Sequence, residues 1–347
     1  MVFDGFCYKA SVICLFIIMI GSSCDGMEVV IDNPSPHTIS AERIYGNGST
    51  YCAFTSMVIC DGIWYLAFRE GVNHKNDNGV IRILRSKDCK NWSLFQVVSA
   101  PNIDLRDPNL SIMPNGSMVL ICGARRTMED GTFISTKTFF AKNKDGLFGD
   151  LKPISLPETI DDEELSWLWG LTWEGDIGYG AVYRRSDGKS GLSLVRTNDG
   201  ESYDFITELD VGTIVNETRL RFLNDKTMVA FMRSEGNGFM GISRPPYTDW
   251  SYKQLNIYLA GHDFIIDNTK IVCATRTIGQ DGEKTVVFYG NTDGSFYKSI
   301  ELPSYGISGD TSYASIVEWN GCYYISYYSK HETEKPCIYI SKIIKDK

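Results

Sequence analysis

Histidine is scarce in this chain, with four among 347 residues, and no cluster of His, Cys and carboxylate stands at metal-ligand spacing. No glycine-rich phosphate loop is present either, so neither a metal nor a cofactor is expected. Positive charge is also short: 34 Lys and Arg against 43 Asp and Glu give a net charge of −9. Nucleic acid and anionic membrane surfaces need concentrated positive charge, so neither is expected as the main partner. Long apolar runs are missing after the first two dozen residues, which leaves nothing to anchor the chain in a bilayer. The one pronounced run, Ser11–Gly21, has 11 residues, too short for the roughly 20 that a membrane helix takes. Preceded by Lys9 and followed by Ser22 and Ser23, it suits the apolar core of a signal peptide. Export is therefore expected, with cleavage near Cys24 to Met27, so that 1–26 is removed and 27–347 remains. That segment keeps seven cysteines (Cys52, Cys60, Cys89, Cys122, Cys273, Cys322 and Cys337). An odd number without a CxxC pair argues against a zinc site or a full disulfide framework, and leaves room for one or two bridges.

Helical periodicity is absent as well, and what replaces it is 32 Gly, 19 Tyr, 17 Phe and 7 Trp. Such a mixture belongs to many short strands joined by tight turns. A pattern of alternating apolar residues, a polar residue, an Asp-Gly-like turn and an aromatic recurs along the chain. It is read at Ile81–Trp92, Thr138–Phe148, Leu192–Tyr203, Gly241–Trp250 and Val287–Tyr297, and in part at Ile338–Asp346. The polar residues that end these strands are Ser86, Asn143, Thr197, Ser243, Asn291 and Ser341, with steps of 57, 54, 46, 48 and 50. Steps of that size match a four-stranded propeller blade of about 40–50 residues. The expected fold is all-β, a six-bladed β-propeller, with a β-sandwich as the alternative. The last unit lacks an outermost strand, and Met27–Asn33 is expected to supply it and close the ring, which would remove exposed sheet edges. In the turns themselves, Asp88, Asp145, Asp199 and Asp293 are expected to accept backbone N–H groups, a structural rather than catalytic use.

The units Ser86-x-Asp88-x-x-x-Trp92 and Thr197-x-Asp199-Gly200-x-x-Tyr203 resemble the Asp-boxes of the sialidase (neuraminidase) superfamily of six-bladed propellers. Together with FREG (Phe68–Gly71), DLRDPNLS (Asp104–Ser111), GDTSY (Gly309–Tyr313) and YYSKHE (Tyr327–Glu332), they make 27–347 similar to bacterial-type exo-alpha-sialidases, also called BNR-repeat proteins. The resemblance implies a set of site residues. An acid/base Asp follows an A-F-x-E stretch, and Asp77 stands after Ala67–Glu70. An Asn-Glu pair with a later Arg corresponds to Asn216, Glu217 and Arg233, and an Arg of the next blade to Arg276. The nucleophilic Tyr of a Y-S-x-L setting corresponds to Tyr313. The family's first-blade Arg, from an F-R-I-P motif, has no counterpart in Cys52–Met57, and the Arg expected after A-F-x-E is replaced by Val72. Arg69 and Arg106 are the residues that could substitute in binding a substrate carboxylate.

The chemistry implied is retaining glycoside hydrolysis. A sugar with a carboxylate on its anomeric carbon repels an anionic attacker, so a Tyr serves as nucleophile. A phenol needs a base; Glu217 would act on Tyr313 while Asp77 protonates the leaving oxygen. Trp167, Trp169 and Trp173 could stack on a sugar, and His74, His262, Asp263 and Asp310 could line its pocket. Arg106 and Asp107 could form a buried ion pair. Two other readings keep the propeller: a hydrolase of a non-sialic sugar using Asp107, Asp77 and Glu217 as carboxylates, and a non-catalytic glycan-binding protein. The expected partner is in every case a glycan. Five N-x-Ser/Thr sequons occur, at Asn47, Asn91, Asn109, Asn115 and Asn216, and a glycan on Asn216 would block a site built on Glu217.

Overall fold

The computed structural model describes residues 39–75, 78–144 and 146–345. The expected signal segment and the Met27–Asn33 strand lie outside the described residues. Among these residues there is no helix; 26 strands account for the regular structure. Three four-stranded antiparallel sheets are simple meanders. They begin at Tyr51–Cys60, Thr218–Phe222 and Asp263–Asp267, and each is paired in chain order with the three strands that follow. A fourth sheet carries Ser312–Trp319, Cys322–Ser329 and Cys337–Ile344, with Ala41–Tyr45 added on its outside. Ala41 stands opposite Ser341 in that antiparallel pair, so the outer partner of the last strand is Ala41–Tyr45.

The remaining sheet has ten strands. One half runs from Asp104–Ile112 through Met118–Thr127 to Phe133–Lys144. The other runs from Leu165–Leu168 through Ile177–Ser186 and Lys189–Thr197 to Asp204–Glu208. A short parallel pairing of Leu165 with Thr136 and Ser166 with Lys137 joins the halves. Five sheets therefore stand among the described residues where six separate ones were expected.

The strands bury both faces because sheets stack on one another. Val119, Ile121 and Phe140 of one half of the large sheet pack against Leu168, Val182 and Val195 of the other. Ile81 and Ile83 meet Leu120 and Cys122; Ala181 and Leu194 meet Leu220 and Ala230; Phe231 and Met240 meet Phe264 and Cys273. Val272 and Val287 meet Ile325 and Tyr327, and Leu66 and Phe68 meet Tyr328 and Ile338. Burial of each such side chain is worth roughly 1.5–3 kcal/mol relative to exposure, so these interfaces supply the main cohesion.

The polar turns fall where the repeat puts them. Asp88 accepts the N–H groups of Lys90 and Asn91 at 2.9 and 2.8 Å, and Asp199 those of Glu201 and Ser202 at 2.8 and 2.9 Å. The left-handed position that Gly200 occupies (φ 74°) is taken in the first unit by Cys89 (φ 59°).

At the centre, the strands Tyr51–Cys60, Asp104–Ile112, Thr172–Glu174, Thr218–Phe222, Asp263–Asp267 and Ser312–Trp319 touch in succession, the last returning to the first. Such inner edges leave backbone groups without ladder partners, and polar side chains reach across to them. Ser56 Oγ accepts Leu110 N–H (2.9 Å), and Asn109 Oδ1 accepts Leu171 N–H (3.1 Å). Thr172 Oγ1 donates to Leu220 O (2.8 Å), and Arg221 donates to Asp263 Oδ1 (2.5 Å). Asp263 Oδ2 accepts Ile316 N–H (3.1 Å), and Ser315 Oγ accepts Met57 N–H (3.1 Å). This girdle links every neighbouring pair of inner strands. It also occupies Asn109, which is buried, so that sequon is closed to glycosylation in the folded protein.

Three inner strands carry a β-bulge near the same end, between Ala53 and Ser56, Arg106 and Asn109, and Ser312 and Ser315. Within them Phe54, Asp107 and Tyr313 have left-handed backbone, with φ of 63°, 42° and 43°. A non-glycine residue held there costs on the order of 1–3 kcal/mol. Bulges of this kind re-aim side chains beside functional sites.

Candidate active site

Phe54, Asp107 and Tyr313 line one small, open pocket, together with Thr55, Pro108, Trp169, Arg219, Gly261 and Ala314. Behind Tyr313 and Gly261 of that lining, Glu217 sits just ahead of the strand Thr218–Phe222. The ladder continues one step past that strand: Asn216 N–H donates to Arg233 O and Arg233 N–H to Glu217 O, both at 3.0 Å. The Glu217 and Arg233 side chains meet beyond it, Arg233 Nη1 lying 2.7 Å from Glu217 Oε1. The same oxygen accepts the Tyr313 hydroxyl at 2.6 Å, and Gly261 N–H donates to Oε2 at 2.9 Å. Arg233 also approaches the Tyr313 oxygen at 3.3 Å.

Glu217 is 7% exposed. Burial by itself would raise its pKa, but Arg233, the Tyr313 hydroxyl and the Gly261 N–H outweigh that and hold the carboxyl below its usual range. Tyr313 moves the other way. Burial first, then the Glu217 charge, raises the phenol well above its ordinary value, against the pull of Arg233 and Arg276. The pair is thus a carboxylate accepting a hydrogen bond from a neutral phenol, an arrangement in which a base stands ready beside a phenol.

No protein family and no curated protein sequence matches the chain. Solved structures do. A protein of unknown function from Dyadobacter fermentans superposes with a TM-score of 0.77 at 16% identity, covering 89% of this chain and 99% of that one. An α-L-arabinofuranosidase of Fusarium graminearum, bound to an iminosugar inhibitor, gives 0.66 at 15%, covering 88% and 98%. A Trypanosoma rangeli sialidase in complex with sialic acid gives 0.63 at 10%, covering 87% of this chain and 58% of the sialidase. Sialidases and arabinofuranosidases of this kind are β-propeller glycoside hydrolases. At these identities the likeness establishes a shared all-β fold.

The site residues named from the sequence fall into three groups. Glu217, Arg233 and Tyr313 are in mutual contact. Arg276 is beside them, its guanidinium 5.9 Å from the Tyr313 ring centre; its Nε is buried without a hydrogen-bond partner, and Glu283 stands 4.0 Å off. Arg106 borders the pocket, stacked 4.9 Å over the Phe54 ring and donating to His74 O at 2.9 Å. Its carboxylate contact is Asp104, at 3.9 Å; no ion pair with Asp107 within 4.0 Å is found among the described residues, contrary to the expected pairing. Asp77 lies outside the described residues.

Arg69 is a correction. It is wholly buried, with Nε and Nη2 on Asp104 at 2.8 and 2.7 Å and Nη1 on Asn73 O at 2.7 Å. A side chain with no exposed surface cannot meet a substrate, so Arg69 braces the strand and leaves the carboxylate-binding role to others. Of the tryptophans, Trp169 alone lines the pocket. Trp167 stacks on Tyr183, and Trp173 Nε1 donates to Ser111 Oγ. His262 is fully buried, its Nε2 within 2.9 Å of Phe231 O, and burial pushes its pKa down to about 4. It is a neutral core residue. Asp263 belongs to the girdle, and Asp310 accepts the hydroxyl of Tyr51 at 2.7 Å. All seven cysteines of 27–347 are free.

Sequence reasoning missed Arg219 as a pocket residue. It stacks 4.4 Å over Trp169 with its Nε unpartnered. Gly170 makes room for it, since a Cβ there would lie 2.5 Å from Arg219 Nη1. That glycine, in Trp-Leu-Trp-Gly, was the available signal. Among the described residues no group of three His, Cys, Asp or Glu could hold a metal ion.

Proposed function

We propose that this chain is a retaining glycoside hydrolase of the sialidase type, with Tyr313 as nucleophile and Glu217 as its base. The observation that carries the reading is the 2.6 Å hydrogen bond from Tyr313 to a Glu217 carboxylate, whose two oxygens are also held by Arg233 and the Gly261 N–H. As the Tyr313 oxygen bonds to the anomeric carbon, its proton passes to Glu217 and the glycosidic bond breaks. Water then attacks the glycosyl-tyrosine, and Glu217 returns the proton to the phenolate. Arg276 and Arg219 supply cationic surface for an acidic sugar, standing in for the absent first-blade arginine. Asp77 is the sequence's candidate for protonating the leaving oxygen.

The same reading takes 27–347 as one six-bladed propeller, exported after loss of 1–26, acting outside the cell on glycoconjugates without a cofactor. Six apolar interfaces and the closed girdle support six blades, two of them merged into the ten-stranded sheet. The fold shared with propeller glycosidases supports a sugar substrate. Tyr313→Phe and Glu217→Gln are each expected to cut turnover of a fluorogenic sialoside by about 10²–10⁴-fold. Hydrolysis of an arabinoside or another neutral glycoside that survives Tyr313→Phe would sink the Tyr mechanism and favour a carboxylate-based hydrolase. The unpaired Asp107 carboxyl is the observation that keeps that second reading in view. Glycan binding with no turnover of any glycoside would leave the chain a lectin-like propeller.

A further inference from the structure

We infer that Asp107 is the general acid of this site, the group that delivers a proton to the leaving glycosidic oxygen. The inference rests on the hydrolase reading above and moves the acid role from Asp77 to a residue of an inner strand.

Four observations on Asp107 converge. Its side chain lines the pocket that Tyr313 lines. Its Oδ1 is shut away from solvent and has no hydrogen-bond partner, which normally costs about 1–3 kcal/mol and is retained where a ligand or a reaction uses the atom. Its backbone is left-handed (φ 42°) inside a bulge. Pro108, next in line, brings no N–H that the broken ladder would leave unpaired. The chain therefore holds a strained conformation whose product is a carboxyl aimed into the cavity. Finally, the arginine beside it is engaged elsewhere, on His74 O and toward Asp104.

The electrostatics agree with a proton donor. Burial raises the Asp107 carboxyl most, Glu217 adds to that, and Arg106 and Arg69 oppose it, leaving the group pushed up to about 7. Two carboxyl groups, Asp107 on the pocket lining and Glu217 behind Tyr313, thus differ in state, Glu217 ionised and Asp107 able to carry a proton near neutrality, a division of roles that acid and base catalysis requires. The indole N–H of Trp169, on the same pocket wall, is near enough to Asp107 to oppose the rise as well.

The proton inventory closes. In the first step the Asp107 O–H proton goes to the glycosidic oxygen, the bond from that oxygen to the anomeric carbon breaks, and the alcohol leaves. The Tyr313 oxygen bonds to the anomeric carbon and its proton passes to Glu217. In the second step water bonds to that carbon and gives a proton to the Asp107 carboxylate. The Tyr313 oxygen departs and recovers its proton from Glu217, which restores the starting state.

A general acid matters in proportion to how poor the leaving group is. Asp107→Asn is expected to lower kcat/KM on an unactivated alkyl glycoside or oligosaccharide by about 10²–10⁴-fold, and on an aryl glycoside with an acidic phenol by under about tenfold. The fall of wild-type activity on raising pH through about 7 should vanish in the variant. Infrared difference titration of the unliganded protein should show one carboxyl protonating near that pH, missing from Asp107→Asn. Equal losses on both substrate types, a wild-type protein with no such carboxyl, or the leaving-group signature appearing in Asp77→Asn instead would each overturn the assignment alone. Absence of turnover on any glycoside by the unaltered protein would overturn the hydrolase reading and this assignment with it.

Discussion

Replacing Gly261 with alanine is expected to remove the proposed glycosidase activity while leaving a folded protein. A Cβ on residue 261 would lie 2.3 Å from Tyr313 Cδ2 and 2.4 Å from its Cγ, distances that no side chain accepts without moving. The ring cannot retreat easily, because Phe54, Trp169 and Tyr328 surround it. Tyr313 would therefore shift off Glu217, and a displacement of about 1 Å at a reacting group costs about 10²-fold. Position 261 is also left-handed (φ 54°), and its N–H holds the second carboxylate oxygen of Glu217, so the base is disturbed along with the nucleophile. Overpacking and the backbone conformation together should cost about 2–5 kcal/mol. Gly62→Ala is the control: its φ is 74° and a Cβ there meets nothing within 4 Å. It should lose about 1–2 kcal/mol and no activity. Steady-state kinetics and thermal melts of both variants decide the matter. Gly261→Ala with more than a tenth of normal turnover would show that Tyr313 does not have to sit against Glu217.

The largest loss of stability is expected from Asp263→Ala. One carboxylate closes two neighbouring links of the girdle, accepting Arg221 on Oδ1 and Ile316 N–H on Oδ2, and it also accepts Phe264 N–H at 2.9 Å. Arg219 stands 3.9 Å away. Removing it leaves Arg219 and Arg221, neighbours on the strand Thr218–Phe222, without their carboxylate, and breaking a buried pair from one side costs about 3–5 kcal/mol. Asp263→Asn retains an acceptor but no charge, so it should fall between the wild type and the alanine variant. Urea denaturation of the three proteins gives the comparison. A loss below about 1 kcal/mol for Asp263→Ala would mean that packing between sheets, not the girdle, holds the inner strands together.

The strand-and-turn character of the fold was legible because its signals are local. Asp88 and Asp199 bind their own turns, as Ser/Thr-x-Asp spacing implies, and the recurring polar residues mark strand ends. The join within the ten-stranded sheet was not legible. It rests on two residues, Leu165 and Ser166, meeting a strand about 30 positions earlier, and nothing in their type announces a parallel pair. The girdle was equally hidden. Ser56, Asn109, Thr172 and Ser315 look like ordinary polar residues of strands until the inner edges they bridge are known. The contact of Glu217, Arg233 and Tyr313 spans residues as much as 96 apart, and only a family resemblance could bring them forward. Asp107 was named as a carboxylate of the alternative hydrolase, but its conformation was hidden, since a residue before proline is biased toward extended backbone and here turns left-handed. Arg69 failed because exposure cannot be read from a motif: Asp104, 35 residues later, buries it.

The pairing of Ala41–Tyr45 with Cys337–Ile344 also dates the site. Partners such as Ala41 and Ser341 are 300 residues apart (341 − 41), which at about 5–20 residues per second is roughly 15–60 s of translation. Through that interval the strand made first has no ladder to join, and Leu66 and Phe68 await Tyr328 and Ile338. Tyr313 reaches Phe54, 5.0 Å between ring centres, across that same last interface. The pocket is consequently one of the last parts of the molecule to come into being: a nascent chain can hold most of its sheets before it holds an active site.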